Sequence, residues 1–136
     1  MENTKGKVRV VIPVKRKGMR EMEDFYSRAL GFAITEEGDV LLGGDGGCVG
    51  RFVYREGKGV RSQEAILDIE IEKDFGAYCR HVKACGGRFD MVARMIAGYA
   101  AHLRDPSDNL ITIACYEDDA ASDEIVYGWK ETVAID

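Results

Sequence analysis

The chain has 136 residues, of which 46% are hydrophobic and 32% charged, and its formal net charge is −5. That length suits a single domain with a true core, and the acidic balance gives no field that would attract nucleic acid or an anionic membrane surface. Apolar runs are only a few residues long and Met1–Lys5 has no apolar signal core, so neither a membrane span nor a signal peptide is expected, and the cytoplasm is the default location.

Val8 to Val14 is a β-branched run in which Pro13 marks an edge position or a strand end. From Met19 to Leu30 the apolar residues Met19, Met22, Tyr26, Ala29 and Leu30 recur at three- and four-residue steps, which predicts an amphipathic helix stopped by Gly31. Phe32 to Thr35, Val40 to Leu42 and Val49 to Arg55 read as short strands, separated by Gly38-Asp39 and by the Gly43 to Gly47 cluster. That cluster resembles a phosphate loop only in its glycines, because no Lys-Ser/Thr ending follows.

The second half repeats the order. Ala65 to Ile71 is a strand, and Phe75, Cys79, Val82 and Cys85 form a helical stripe ended by Gly86-Gly87. Arg88 to Met91, Tyr99 to Arg104 and Leu110 to Tyr116 supply three more strands. Between the last two, Asp105-Pro106-Ser107-Asp108-Asn109 has turn chemistry at each position: an Asp to cap, a Pro to pre-set φ, and Asp/Asn to tolerate the left-handed region. The chain therefore reads βαβββ twice, with module one at about 7–57, a polar linker at 58–63, module two at about 64–117 and a tail at 118–136 within one domain. The fold class is α+β: tandem modules form a curved mixed sheet around a concave cleft, with the helices outside. Cys48, Cys79, Cys85 and Cys115 lack CxxC spacing and read as buried thiols.

Three segments resemble the glyoxalase, bleomycin-resistance and extradiol-dioxygenase superfamily, the vicinal oxygen chelate proteins. These are Val10–Val14 leading into Phe25–Phe32, Leu67–Ile71 leading into the Gly86-Gly87 stop, and Gly98 through Ile113, together covering residues 7 to 117. The resemblance implies that in catalytic members four strands each give one residue to a metal centre. The matching positions here hold Arg9, Gly50, Ile66 and Thr112. Arginine, glycine and isoleucine offer no ligand and threonine a poor one, so no metal and no other cofactor is expected.

Strand period two places Arg9, Val11 and Pro13 on the cleft side, with Ile66, Asp68 and Glu70 in module two and Leu110, Thr112 and Ala114 on the last strand. Phe52 and Tyr54 join them if Gly50 is in register, and His102 faces the cleft as a candidate base. The expected ligand-binding set is thus Arg9, Phe52, Tyr54, Asp68, His102 and Thr112. Structural readings stand beside this one: Arg9 and Asp68 on neighbouring strands can form an ion pair across the pocket floor, Phe52 and Tyr54 can be core or interface residues, and Thr112 can be a plain β-former. His81 on the second helix reads as solvated or half-buried.

The tail combines a solvated acidic stretch, Glu117 to Glu124, with an apolar cluster of Ile125, Val126, Tyr127 and Trp129 that an isolated arm would not keep exposed. It is expected to pack across its own sheet or onto a second subunit, covering a pocket mouth. The resemblance together with the replaced ligands implies a metal-free protein of the bleomycin-resistance type. It would sequester a small aromatic or cationic molecule as a homodimer, without nucleic-acid or membrane partners. The alternative is a metal-independent lyase or isomerase in which Arg9 holds an anion and Asp68 or His102 moves a proton.

Overall fold

The computed structural model describes residues 8–15, 17–43, 47–55 and 64–133. The predicted linker and the middle of the glycine cluster lie outside the described residues. Module one runs β1 (Val10–Val14), α1 (Met19–Asp24), a π-helical turn (Phe25–Ala29), β2 (Ala33–Ile34), β3 (Asp39–Leu41) and β4 (Val49–Tyr54). Module two runs β5 (Ala65–Glu70), α2 (Phe75–Ala84), β6 (Arg88–Arg94), β7 (Tyr99–Arg104) and β8 (Leu110–Cys115), followed by α3 (Ala120–Gly128) and β9 (Thr132–Val133).

The repeat is visible in the pairing. The first sheet has the order β1-β4-β3-β2 and the second β5-β8-β7-β6-β9, so each module places its first strand beside its last. In both modules that pair is parallel and the remaining module strands are antiparallel. The architecture is α+β with two mixed sheets, and neither closes into a barrel. Among the described residues no helix is long and apolar enough to cross a membrane.

Ile12 and Val14 of β1 are fully buried against the helix side, whereas Val11 is 42% exposed, as a half-buried strand requires. Met22, Phe25, Tyr26 and Ala29 meet them from the helix. The single predicted helix ends in a π turn, closed by a Leu30 N–H bond to the Phe25 carbonyl. Within this wider turn the consecutive residues Phe25 and Tyr26 are both buried. Gly31 and Gly86 follow the two helices at φ 87 and 93, the left-handed stop that the sequence predicts.

The modules meet through polar bonds that lead back to the Asp105–Asn109 turn. Tyr26 OH donates to Asp105 at 2.8 Å, Asn109 Nδ2 to the Pro13 carbonyl at 2.7 Å, and Lys15 N–H to Ser107 Oγ at 3.1 Å. On the helix side Tyr78 OH donates to the Leu30 carbonyl at 3.0 Å.

The tail is not a solvated arm. Asp119 caps α3 by accepting from Ser122 N–H, and Gly76 N–H of α2 donates to Ser122 Oγ at 2.8 Å. A Cβ at Gly76 would sit 2.8 Å from Ser122 Cα, so the missing side chain sets how closely α2 and α3 approach. Trp129 packs edge-on against Phe89 and lies under Lys83 Nζ, and β9 adds to β6. The tail thus covers its own module, and the expectation that it packs on its own sheet describes it.

Candidate functional site

Four strands of module two bring one residue each into a row. Asp68 pairs with Thr112 across β5 and β8, Thr112 with His102 across β8 and β7, and His102 with Met91 across β7 and β6. Residues directly opposite in a sheet share a face at roughly 5 Å, so these side chains are neighbours. Thr112 Oγ1 donates to Asp68 Oδ1 at 2.6 Å. That bond takes the one hydroxyl proton and leaves the oxygen as an acceptor. The next row is Glu70, Ala114 and Ala100, in which the two alanines carry only methyl groups.

A cavity of about 420 Å³ lies along β5, lined by Phe32, Leu42, Cys48, Leu67, Asp68, Ile69 and Glu70. Among the described residues its walls are aromatic and aliphatic, and its charges are the Asp68 and Glu70 carboxylates. β5 is the edge strand of its sheet, which is why residues from both of its faces reach the cavity.

Arg9 is elsewhere. It binds Asp39 of β3 through two nitrogens, at 2.8 and 3.3 Å, and Arg51 of β4 comes within 3.7 Å of the same carboxylate. The Asp39 bond raises the Arg9 guanidinium above its usual range, so it is permanently cationic. β1, which Arg9 precedes, and β5, which carries Asp68, are not neighbours as expected: β1 pairs with β4, β5 pairs with β8, and each of the two residues has another partner. The ion pair across the pocket floor is therefore replaced by two separate contacts. In the sequence Asp39 belongs to a turn with its neighbour Gly38, and only the β3–β4 register reveals it as the arginine's partner.

Phe52 and Tyr54 also fall on the other side. Gly50 pairs with Val10, Phe52 with Ile12 and Tyr54 with Val14, so these β4 residues share the helix-facing side, and Arg51 and Val53 face with Val11 and Pro13. Phe52 packs edge-to-face on Tyr26 at 5.3 Å, and Tyr54 is exposed at the strand end. A Cβ at Gly50 would lie 2.9 Å from Ile12 Cδ1, so this glycine is a core position. A residue without a side chain gives no burial signal, and a strand phase set from it is one residue off.

The positions corresponding to metal ligands do not fit a divalent ion. Arg9 is a bound cation, Ile66 is apolar, Gly50 faces the core, and the Thr112 hydroxyl is engaged with Asp68. Among the described residues no three His, Cys, Asp or Glu side chains are grouped to hold one. Cys79 and Cys115 are buried, and burial followed by the nearness of Cys115 pushes the Cys79 thiol up to about 12. Cys48 departs from the buried-thiol expectation: beside the glycine cluster it is exposed. His81 is exposed, with Nε2 2.8 Å from the Arg28 carbonyl.

Solved structures with the same fold carry low identity. A mutant of the fosfomycin resistance protein FosX from Listeria monocytogenes, complexed with Mn(II) and a dihydroxypropylphosphonic acid, superposes with a TM-score of 0.65 at 12% identity, covering 88% of this chain and 96% of that one. FosX from Mesorhizobium loti gives 0.63 at 15% identity, with 90% and 99% covered. TnmS3, an antibiotic binding protein from Streptomyces sp. CB03234, gives 0.58 at 19% identity, with 85% and 100% covered. No curated protein matches the chain. The model of the glyoxalase/bleomycin resistance protein/dioxygenase superfamily matches residues 9–113, which span both modules and the Asp105 turn, and the chain belongs to that superfamily.

Proposed function

We propose that the protein binds a small aromatic or cationic molecule along β5 and holds it without a catalytic metal. The observation that carries this reading is the cavity itself, with Phe32, Leu42, Leu67 and Ile69 as apolar walls and Asp68 and Glu70 as its charges. An apolar body desolvates against the walls while its positive charge meets the carboxylates. Arg9, already tied to Asp39, does not contribute an anion clamp. The similarity to an antibiotic binding protein points the same way. The proposal includes a homodimer.

Calorimetric titration with proflavine, a planar aromatic cation, tests it. Binding should weaken about tenfold in Asp68→Asn and in Glu70→Gln, the scale of one lost charge contact of about 1.4 kcal/mol. It should also survive dialysis against EDTA. Equal affinity for an uncharged ring of the same shape, or a stoichiometric divalent ion whose removal abolishes binding, would overturn the reading.

The row Asp68, Thr112 and His102 favours one second reading, a metal-independent lyase or isomerase with His102 as base and the Thr112–Asp68 bond fixing the hydroxyl beside it. Turnover of a bound compound that is lost in His102→Gln, with affinity retained, would select it over sequestration.

A further inference from the structure

A second cavity, of about 340 Å³, lies at the module junction and among the described residues shares no lining residue with the first. Lys15, Phe25, Gly86, Arg88, Arg104, Pro106 and Asp108 line it, so module one supplies a cation just beyond β1 and module two supplies two. We propose that this cavity is a binding site for a phosphate-class oxyanion, which straps the end of β1 to the β6–β7 hairpin.

Arg88 and Arg104 stand directly opposite each other on antiparallel strands, an arrangement of like charges that disfavours the pairing unless anions compensate it. Two carboxylates do so in part. Asp90 takes Arg104 Nε at 2.8 Å, and Asp108 lies 2.8 Å from Arg88 Nη2 and 3.4 Å from Lys15 Nζ. Among the described residues Lys15 and Arg88, two cations, share the single carboxylate of Asp108.

Donors are left over as well. Arg88 makes both of its contacts, to the Asp105 carbonyl and to Asp108, through Nη2, and its Nε and Nη1 find no acceptor among the described residues. Asp108 Oδ1 lies 2.8 Å from Arg88 Nη2, and although burial pushes the Asp108 carboxyl up, the Arg88 and Lys15 contacts hold it below its usual range. The guanidinium thus meets the carboxylate through Nη2 alone and not as a two-pronged fork. A tetrahedral oxyanion supplies acceptors for the open edge of Arg88 and for the Lys15 ammonium together. Because those groups come from different modules, occupancy would be read as stability.

The test is thermal unfolding of the full chain in sodium phosphate against sodium chloride at equal ionic strength. At ten times its dissociation constant phosphate should raise the Tm by about 5 °C over chloride. The rise should vanish in Arg88→Gln and shrink in Lys15→Gln, both side chains being about half exposed, and persist in Lys73→Gln, which does not line the cavity. Calorimetry with inorganic phosphate on the same proteins gives a readout that does not depend on their stability. Equal Tm values in the two salts, no heat with the wild-type chain, or a response intact in both cavity variants would overturn the proposal. Tighter binding of glycerol 3-phosphate than of inorganic phosphate would identify a phosphorylated small molecule as the occupant and the reverse order free phosphate, and either order supports the site.

Discussion

Asp105 is a turn residue that also joins the modules. Its buried carboxylate accepts from Tyr26 OH at 2.8 Å, Ser107 N–H at 2.9 Å, Asn109 N–H at 3.0 Å and Asn109 Nδ2 at 2.9 Å. Asp105→Asn would turn an amide NH₂ toward one of these donors, and at pH 7 it should cost about 2–4 kcal/mol. Burial pushes the Asp105 carboxyl above the usual carboxylate range, against the downward pull of those four donors. A carboxyl raised in the folded state contributes stability that is present at low pH and lost as pH rises through its folded value. The wild type should therefore gain on the variant as pH falls from 7 toward about 4, the ordinary carboxylate value. Urea unfolding at several pH values measures this, and a gap that narrows on acidification would contradict the sign.

At the scale of elements, the tail contributes more than its acidic composition suggests. Asp118 accepts from Gly98 N–H at 2.6 Å and from Arg94 at 2.5 Å, and Tyr99 OH donates to Asp123 at 2.6 Å. A chain ending at Glu117 loses these bonds together with the α2–α3 contact and the β6–β9 pair. It should melt at least 10 °C lower, about 2–3 kcal/mol for a chain of this size. An unchanged melting temperature would mean that the tail is dispensable. The composition conceals this helix because Asp119, Asp123 and Glu124 read as solvated charge, although Asp119 followed by Ser122 is a helix-start pattern. The βαβββ repeat is legible because each element has its own hydrophobic period and a glycine stop. Which strands lie side by side is not, since the parallel β1–β4 and β5–β8 pairs depend on contacts about 40 residues apart in the chain. Asp68, Thr112 and His102 share one face as expected, because their strands carry side chains that alternate clearly. Phe52 and Tyr54 do not join them, because Gly50 leaves the β4 phase undetermined in the sequence.

For the whole molecule, the two modules present unlike faces, and the proposed homodimer follows from that difference. On module one the side away from the helices carries Val11 and Val53, 42% and 36% exposed, beside the Arg9 and Arg51 guanidiniums that meet at Asp39. On module two the Asp68 and Glu70 carboxylates stand exposed along β5. Module one of one copy against module two of another would cover the valines and oppose cation to carboxylate, and the two-fold repetition of that contact would close the assembly. Light scattering after size exclusion should give twice the 15.1 kDa chain mass at micromolar concentration. Arg51→Glu, at a side chain 45% exposed and 3.7 Å from Asp39, should shift the chain to monomer by placing like charges together. High salt should weaken the wild-type dimer by screening the same contacts. A wild-type monomer at about 100 μM would overturn the dimer, and a dimer indifferent to both the charge reversal and salt would place its interface elsewhere. The cavity along β5 would then have to bind its ligand within one chain.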